Sequence, residues 1–156
     1  MPDLALPNDG RFTYNTQTFF DELDAQWILH HSRQIVAVER AQQAFFDHVM
    51  GAEQFDPYRY PDINVVVRRL EVDYLVPLKG VGPYKILLRV VRLREAAMTT
   101  AFELRSRDDA TLYTKGLRTV CKLSMKNGNP CGWTQEFRER FSIWEKAALQ
   151  PQQQQQ

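Results

Sequence analysis

The sequence is short of the features that mark several classes of protein. Only two cysteines, Cys121 and Cys131, occur among its 156 residues. That is too few for a disulfide framework, so we expect reduced thiols. Its 20 basic and 19 acidic side chains leave a formal charge of +1, which excludes an overall field favouring nucleic acid or an anionic membrane. We therefore expect no nucleic-acid partner.

Long apolar runs and the common cofactor motifs are also missing. No segment approaches the length that spans a bilayer, and the first ten residues lack the basic and apolar regions of a signal peptide. We find no P-loop, no dinucleotide-binding fingerprint and no paired-cysteine metal motif. The sequence thus predicts a cytoplasmic protein that does not insert into membranes and has no metal ion or organic cofactor.

The composition favours one α+β domain. A content of 44% hydrophobic and 25% charged residues suits a single globular core. We predict one domain over residues 1–148. Residues 149–156 are mostly glutamine around one proline and cannot build a packed core, so we predict a disordered tail there.

Hydrophobic periodicity predicts the first strand and a long helix. Apolar and polar residues alternate over residues 11–18, which is typical of a half-buried strand. Helical spacing then follows at Ile35, Val38, Ala41, Phe45 and Val49. We expect this helix to begin near Ser32, capped by Ser32 or His31, and to stop at Gly51.

The remainder is predicted to be four strands and a second helix. The strands cover residues 63–75, 84–94, 98–105 and 111–125, and the helix covers residues 134–148 with Thr134 as its cap. One strand, a long helix and four antiparallel strands predict an α+β fold whose sheet buries the helix against one face.

Asp24 and His31 form the most informative pair in the chain. Asp24 lies on a polar turn, seven residues before His31 at the predicted helix start. A carboxylate can act as base or nucleophile, an imidazole can transfer protons, and a helix start presents free backbone N–H groups. Together they indicate an acyl-transfer site. An isolated aspartate before a helix, however, is most often a cap or turn residue.

The residues around this pair carry a family pattern. An Asp24-Ala25 pair follows the first strand, His31 lies seven residues beyond the aspartate, and Glu39-Arg40-Ala41 lies inside the long helix. By this pattern residues 12–125 resemble the hotdog-fold acyl-CoA thioesterases, in the branch similar to 4-hydroxybenzoyl-CoA thioesterase and the Tol–Pal-associated thioesterases. The resemblance implies a hotdog fold, a sheet wrapped around a long central helix, here with an additional C-terminal helix.

The resemblance implies hydrolysis of an acyl thioester of coenzyme A or of an acyl carrier protein, with coenzyme A as part of the substrate. Asp24 would be the nucleophile or the general base. Backbone N–H groups near His31, Ser32 and Arg33 would form the oxyanion hole at the positive end of the helix dipole. His31 would orient Asp24, donate to the substrate carbonyl or cap the helix. Glu39 is the reserve catalytic carboxylate, although it would ordinarily be a solvated helix residue.

Three positions depart from the usual pattern of that family. Gln26-Trp27 stands where a glycine usually follows the aspartate–alanine pair, Phe20 replaces an aromatic hydroxyl, and Gln34 replaces an aromatic residue. These departures support an alternative interpretation, a hotdog-fold binding or scaffolding protein that retains an acyl cleft but hydrolyses little. Replacement of Asp24 by asparagine separates the two interpretations.

The sequence also suggests which residues bind the substrate and how subunits assemble. We predict contacts from Phe20 and Trp27, and phosphate contacts from Arg92 and Arg118, because arginine supplies forked donors. Most such cations lie on solvated strand faces. The resemblance implies a homodimer that joins two sheets, with the site at the interface, and often a homotetramer formed from two dimers.

Overall fold

Five strands form one antiparallel sheet in this computed structural model, which describes residues 9–53 and 55–153, with side chains described up to residue 149. The strands are β1 (Phe12–Gln17), β2 (Val65–Tyr74), β3 (Pro83–Leu93), β4 (Ala97–Arg105) and β5 (Leu112–Lys122). They lie side by side in the order β1-β3-β4-β5-β2, so β1 and β2 are the two edges. Each predicted strand is present, with its ends shifted by a few residues.

The long helix α1 spans His31–Met50 and ends at Gly51, which adopts the left-handed conformation with φ of 66°. The predicted stop at Gly51 is confirmed, and glycine suits it because it has no Cβ to clash there. The predicted cap is wrong. His30 is the N-cap, and its ring Nδ1 accepts a hydrogen bond from the Ser32 backbone N–H.

The core lies between one face of the sheet and the two helices. Strand β4 alternates buried and half-buried residues along its whole length, as expected when one face packs on a core. The core combines residues of α1, the central strands and the second helix, including Val38, Phe45, Leu88, Phe102 and Phe141. The helix α1 buries one face against this sheet, as predicted.

The second helix α2 spans Gln135–Gln153. The Thr134 hydroxyl accepts a hydrogen bond from the Phe137 backbone N–H at 3.2 Å, which confirms Thr134 as the cap. The helix passes its predicted end at Ala148, so residues 149–153, predicted to be disordered, are helical. Residues 154–156 lie outside the described part of the chain.

Candidate functional site

The loop that carries Asp24 is a tight hairpin closed by the aspartate itself. Leu23 and Leu29 pair across it, and the Asp24 backbone N–H donates to the Ile28 carbonyl at 2.9 Å. The carboxylate Oδ1 accepts from the backbone N–H groups of Gln26 at 2.8 Å and Ile28 at 3.1 Å. Neither oxygen has any other hydrogen-bond partner among the described residues. Asp24 therefore holds its own turn with one oxygen and leaves the second oxygen available.

The start of α1 leaves one backbone donor open. The Ser32 N–H donates to the His30 ring at 3.2 Å, and the Arg33 N–H donates to the His30 carbonyl at 2.9 Å. The His31 N–H has no acceptor within residues 9–53 and 55–153. Of the three N–H groups expected in the oxyanion hole, His31 provides the one that is unengaged. Because His30 supplies the cap, capping by the His31 side chain is excluded.

Asp24 and His31 line the same cleft, as the sequence predicts. The cleft has a volume of about 220 Å³ and its lining consists of Asp24, Ile28, Leu29, His31, Gln34, Tyr74, Val76 and Pro77. The His31 and Tyr74 rings meet edge to face with centroids 6.3 Å apart. Partial burial raises the pKa of the Tyr74 hydroxyl. A tyrosine hydroxyl is protonated at neutral pH in any case and can donate a hydrogen bond.

Gln34 connects the loop, α1 and the sheet beneath the cleft. Its Nε2 donates to the Leu29 carbonyl at 3.2 Å, and its Oε1 accepts from the Thr114 hydroxyl of β5 at 2.6 Å. Gln34 and Thr114 are both buried, so each hydrogen bond satisfies a group that has little access to water. The loop is thereby fixed relative to the sheet.

The reserve carboxylate and the two arginines lie elsewhere. Glu39 and Arg118 form an ion pair at 3.8 Å and line a second cavity, of about 100 Å³, instead of the cleft. Burial lowers the pKa of Arg118 and the Glu39 carboxylate opposes this shift. Arg92 is exposed near the end of β3 and is not among the residues that line the cleft. The structure does not bring Glu39, Arg92 and Arg118 to the cleft.

Phe20 and Trp27 are exposed on the two segments that flank Asp24. Phe20 begins a single turn of 3₁₀ helix, Phe20–Glu22. Trp27 has a positive φ of 61° and its N–H donates to the Asp24 carbonyl at 3.1 Å. The place that carries a glycine in the similar family thus has a backbone conformation that glycine adopts without strain. Neither ring has a stacking partner among the described residues.

Sequence reasoning did not find every residue of the cleft. Tyr74 and Val76 come from the end of β2 and the segment after it, and Thr114 supports Gln34 from β5. Tyr74 is 43 residues beyond His31 in the chain, and only the pairing of β2 with β5 brings its strand beside α1. No local pattern signals that contact.

Neither a metal cluster nor a membrane helix is found in the described part of the chain. No three His, Cys, Asp or Glu side chains gather there in an arrangement that could hold a metal ion. Among the same residues, no helix combines the length and apolar character needed to cross a membrane.

Solved structures with the same fold are numerous. A 1,4-dihydroxy-2-naphthoyl-CoA thioesterase from Synechocystis is 10% identical, with 85% of this chain and 96% of that chain covered and a TM-score of 0.73. A Thermus thermophilus thioesterase solved with coenzyme A and Zn is 22% identical, with 86% and 93% covered and a TM-score of 0.71. A Staphylococcus aureus protein solved with CoA is 12% identical, with 88% and 85% covered and a TM-score of 0.78.

These likenesses confirm the predicted α+β hotdog fold, with its five-stranded antiparallel sheet, long helix and C-terminal helix. No protein-family model matches the sequence, and no curated protein matches it. At identities below 25% the comparisons establish the fold, and the activity has to be argued from the site.

Proposed function

We propose that this protein is a thioester hydrolase that cleaves acyl-CoA to the free acid and coenzyme A. The observation that carries the proposal is the shared cleft, which is lined by Asp24, His31 and Tyr74, with one Asp24 oxygen and the His31 N–H unengaged among the described residues. Support also comes from the fold, because several proteins that share it are described as thioesterases.

The chemistry proceeds by one of two routes through Asp24. In the first, a carboxylate oxygen attacks the thioester carbonyl carbon, the C–S bond breaks and the coenzyme A thiolate leaves. Water then hydrolyses the mixed anhydride and regenerates the carboxylate. In the second, Asp24 removes a proton from a water molecule that attacks the carbonyl, and the proton passes to the leaving thiolate. The second oxygen of Asp24, which makes no hydrogen bond within the described residues, serves either route.

Both routes place negative charge on the carbonyl oxygen. We propose that the His31 backbone N–H stabilises this charge, with the positive end of the α1 dipole behind it. The Ser32 and Arg33 N–H groups contribute to that field while engaged with His30. The His31 ring either orients Asp24 or donates to the carbonyl. Tyr74 also lines the cleft, and we propose its hydroxyl as a further donor.

The walls of the cleft favour an apolar acyl group. Ile28, Leu29, Val76 and Pro77 present hydrocarbon surface, and the volume of about 220 Å³ suits a medium-chain, branched or aromatic acyl group. We propose coenzyme A as the carrier, ahead of an acyl carrier protein, because two proteins of this fold were solved with coenzyme A bound. Arg92 and Arg118 would contact its phosphates only from a neighbouring subunit.

The proposed enzyme is a homodimer or homotetramer in the cytoplasm. Strand β2 is an edge of the sheet, and its Val66, Val67 and Leu70 are exposed. An exposed apolar edge strand is a template for pairing with another strand. Joining two β2 edges would continue the sheet across two subunits and place both clefts beside the interface, since Tyr74 of the same strand lines the cleft.

An acyl-binding or scaffolding protein remains the second candidate. The observation that favours it is the use of Asp24 Oδ1 as the acceptor that closes its own turn, which is a structural role. In that case the cleft binds an acyl group and hydrolyses little.

The test is thiol release from a panel of acyl-CoA esters by the parent protein and by Asp24→Asn. Asparagine keeps the side-chain oxygen that the Gln26 and Ile28 N–H groups need, so the turn is preserved while the charge is removed. We expect turnover to fall by about 10²–10⁴-fold, with the fold and oligomer unchanged. Glu39→Gln is the control, because Glu39 lies outside the cleft.

Equal turnover by the parent and Asp24→Asn would overturn the role of Asp24. No turnover by the parent on coenzyme A esters or on carrier-protein esters, together with binding of acyl-CoA, would favour the binding protein.

A further inference from the structure

Trp27 combines two properties that do not stabilise a folded chain. Its side chain is 65% exposed, and its backbone has a φ of 61°, in a region where bulky residues are true outliers. Exposure forgoes the apolar burial that an indole usually provides, and the left-handed backbone adds strain. Because neither property contributes to stability, the exposed ring is available for a role other than packing.

The Asp24 hairpin fixes the backbone of Trp27. The Trp27 N–H donates to the Asp24 carbonyl at 3.1 Å, and the Trp27 carbonyl accepts from the Gly80 N–H at 2.8 Å. Three residues, Ala25 to Trp27, connect the ends of the turn, and the third residue of such a loop is the one that takes the left-handed conformation. The hairpin therefore presents the indole outward, three residues from the candidate catalytic carboxylate.

One cation, Lys79, lies across the loop from the Trp27 segment, and a second, Arg33, follows six residues further along the chain. Ile28 pairs with Lys79, so the Lys79 backbone lies next to the Trp27 segment, and Arg33 lies in the first turn of α1. Both side chains are exposed, and neither forms an ion pair within residues 9–53 and 55–153. An exposed aromatic face with unpaired cations nearby suits a ligand that has a flat ring and phosphate groups.

We propose that Trp27 stacks on the adenine of coenzyme A, with Lys79 and Arg33 facing its phosphates. The proposal deepens the proposed function, on which it rests, by assigning the recognition of the nucleotide end of the substrate to the loop that also carries Asp24. A thioester on a carrier protein, which has no adenine, would gain nothing from Trp27.

Intrinsic fluorescence provides the first test, because the three tryptophans differ in exposure. Trp133 and Trp144 are 3% and 5% exposed, so a ligand that stacks from solvent reaches Trp27 alone. The parent is titrated with coenzyme A, with adenosine 3′,5′-bisphosphate and with 4′-phosphopantetheine. We expect the first two to quench the exposed emission and the third to leave it unchanged. Quenching by phosphopantetheine and not by the bisphosphate would overturn the assignment of adenine.

Variants of Trp27 provide the second test, by calorimetric titration with the same ligands. Trp27→Gly suits the left-handed backbone, so loss of binding cannot be ascribed to misfolding. Stacking of a base on an aromatic ring accounts for a factor of about 5 to 150 in affinity, and we expect a loss in that range for coenzyme A and none for phosphopantetheine. Trp27→Phe retains a ring and should retain most of the affinity.

Equal affinity of the parent and Trp27→Gly for coenzyme A, or no binding by either, would overturn the inference. Thiol release distinguishes this failure from failure of the proposed function. If the parent turns over and Trp27→Gly has unchanged affinity for coenzyme A, the proposed hydrolase is supported and the stacking role of Trp27 is wrong. If binding of coenzyme A depends on Trp27 but no thiol is released, the stacking role is supported and the proposed hydrolase activity is wrong.

Discussion

The two ends of helix α1 differ in how fully their polar groups are hydrogen-bonded and their side chains are packed. At the C-terminal end, the Arg140 guanidinium donates to the Val49 carbonyl at 2.9 Å, and the aromatic rings of α2 pack on Phe45 and Phe46. At the N-terminal end, the His31 N–H has no acceptor within the described residues, one Asp24 oxygen is unengaged, and Trp27 is exposed and strained. Among the described residues, the open groups at the N-terminal end belong to the cleft or to the loop that carries Asp24.

A buried ion pair near the satisfied end makes the contrast sharper. Lys122 and Asp62 meet at 3.0 Å with side chains that are 7% and 3% exposed. Asp62 also accepts from the backbone N–H and the hydroxyl of Thr134, and Lys122 donates to the Gly132 carbonyl at 2.9 Å. This network fixes the start of α2. Charged side chains therefore stabilise the fold at one end of the molecule. At the other end, the Asp24 carboxylate is available for chemistry.

The largest stability effect should follow from breaking that ion pair. Lys122→Met leaves the buried Asp62 carboxylate without its cation, and we expect a loss of about 3–5 kcal/mol in the free energy of unfolding. Denaturant unfolding measures it. Arg69→Met, which removes an exposed partner of Glu71, is the control and should cost no more than about 1 kcal/mol. A loss of similar size in both variants would contradict the stabilising role of the buried Lys122–Asp62 pair.

A smaller loss in the free energy of unfolding is expected at high pH from Tyr84, a buried residue of β3. Burial raises the pKa of its hydroxyl above 10.0, the Glu22 carboxylate adds to the shift, and Arg40 opposes it. The pKa of Tyr84 is higher in the folded chain than in the unfolded chain, so the unfolded chain ionises first as the pH rises. The contribution of Tyr84 to the free energy of unfolding is therefore fully present below pH 10 and is lost above it. The loss approaches about 1.4 kcal/mol per pH unit.

Tyr84→Phe should therefore flatten the alkaline limb of a plot of unfolding free energy against pH. Tyr58→Phe is the matched control, because Tyr58 is fully accessible on an exposed loop. An alkaline limb that keeps its slope in Tyr84→Phe would contradict the account.

The smallest effect is a gain in stability at the open end. Trp27→Gly removes a left-handed bulky residue that costs about 1–2 kcal/mol, while glycine costs up to about 1 kcal/mol through the unfolded chain. We expect a net gain of about 0.5–1 kcal/mol in the free energy of unfolding. Asp109→Gly is the comparison variant, because Asp109 has a similar φ of 65° but aspartate tolerates that conformation. Since its carboxylate also pairs with Lys85, we expect no gain in stability there. A less stable Trp27→Gly would remove the argument from strain.

Local patterns account for most of what the sequence predicts. The strands, α1, its stop at Gly51 and the Thr134 cap depend on periodicity and on residues within a few positions of each other. The position of Asp24 and His31 in one cleft was also predictable, because both belong to one short segment.

The remaining features depend on contacts that sequence patterns do not contain. Tyr74 reaches the cleft through strand pairing, and Asp62 finds Lys122 across 60 positions. The cap at His30 was missed because three polar residues, His30 to Ser32, compete for one role, and backbone geometry selects among them. The positive φ of Trp27 is signalled only by the glycine that the similar family carries at this place, since tryptophan itself disfavours that conformation.

The most direct test of the central claim is to compare turnover per folded molecule with unfolding free energy in Asp24→Asn and Lys122→Met. The account predicts that Asp24→Asn loses about 10²–10⁴-fold in turnover and keeps its stability. It predicts that Lys122→Met loses about 3–5 kcal/mol and keeps its turnover below the unfolding temperature. Full turnover in Asp24→Asn, or lost turnover in fully folded Lys122→Met, would contradict the division between the two ends of α1.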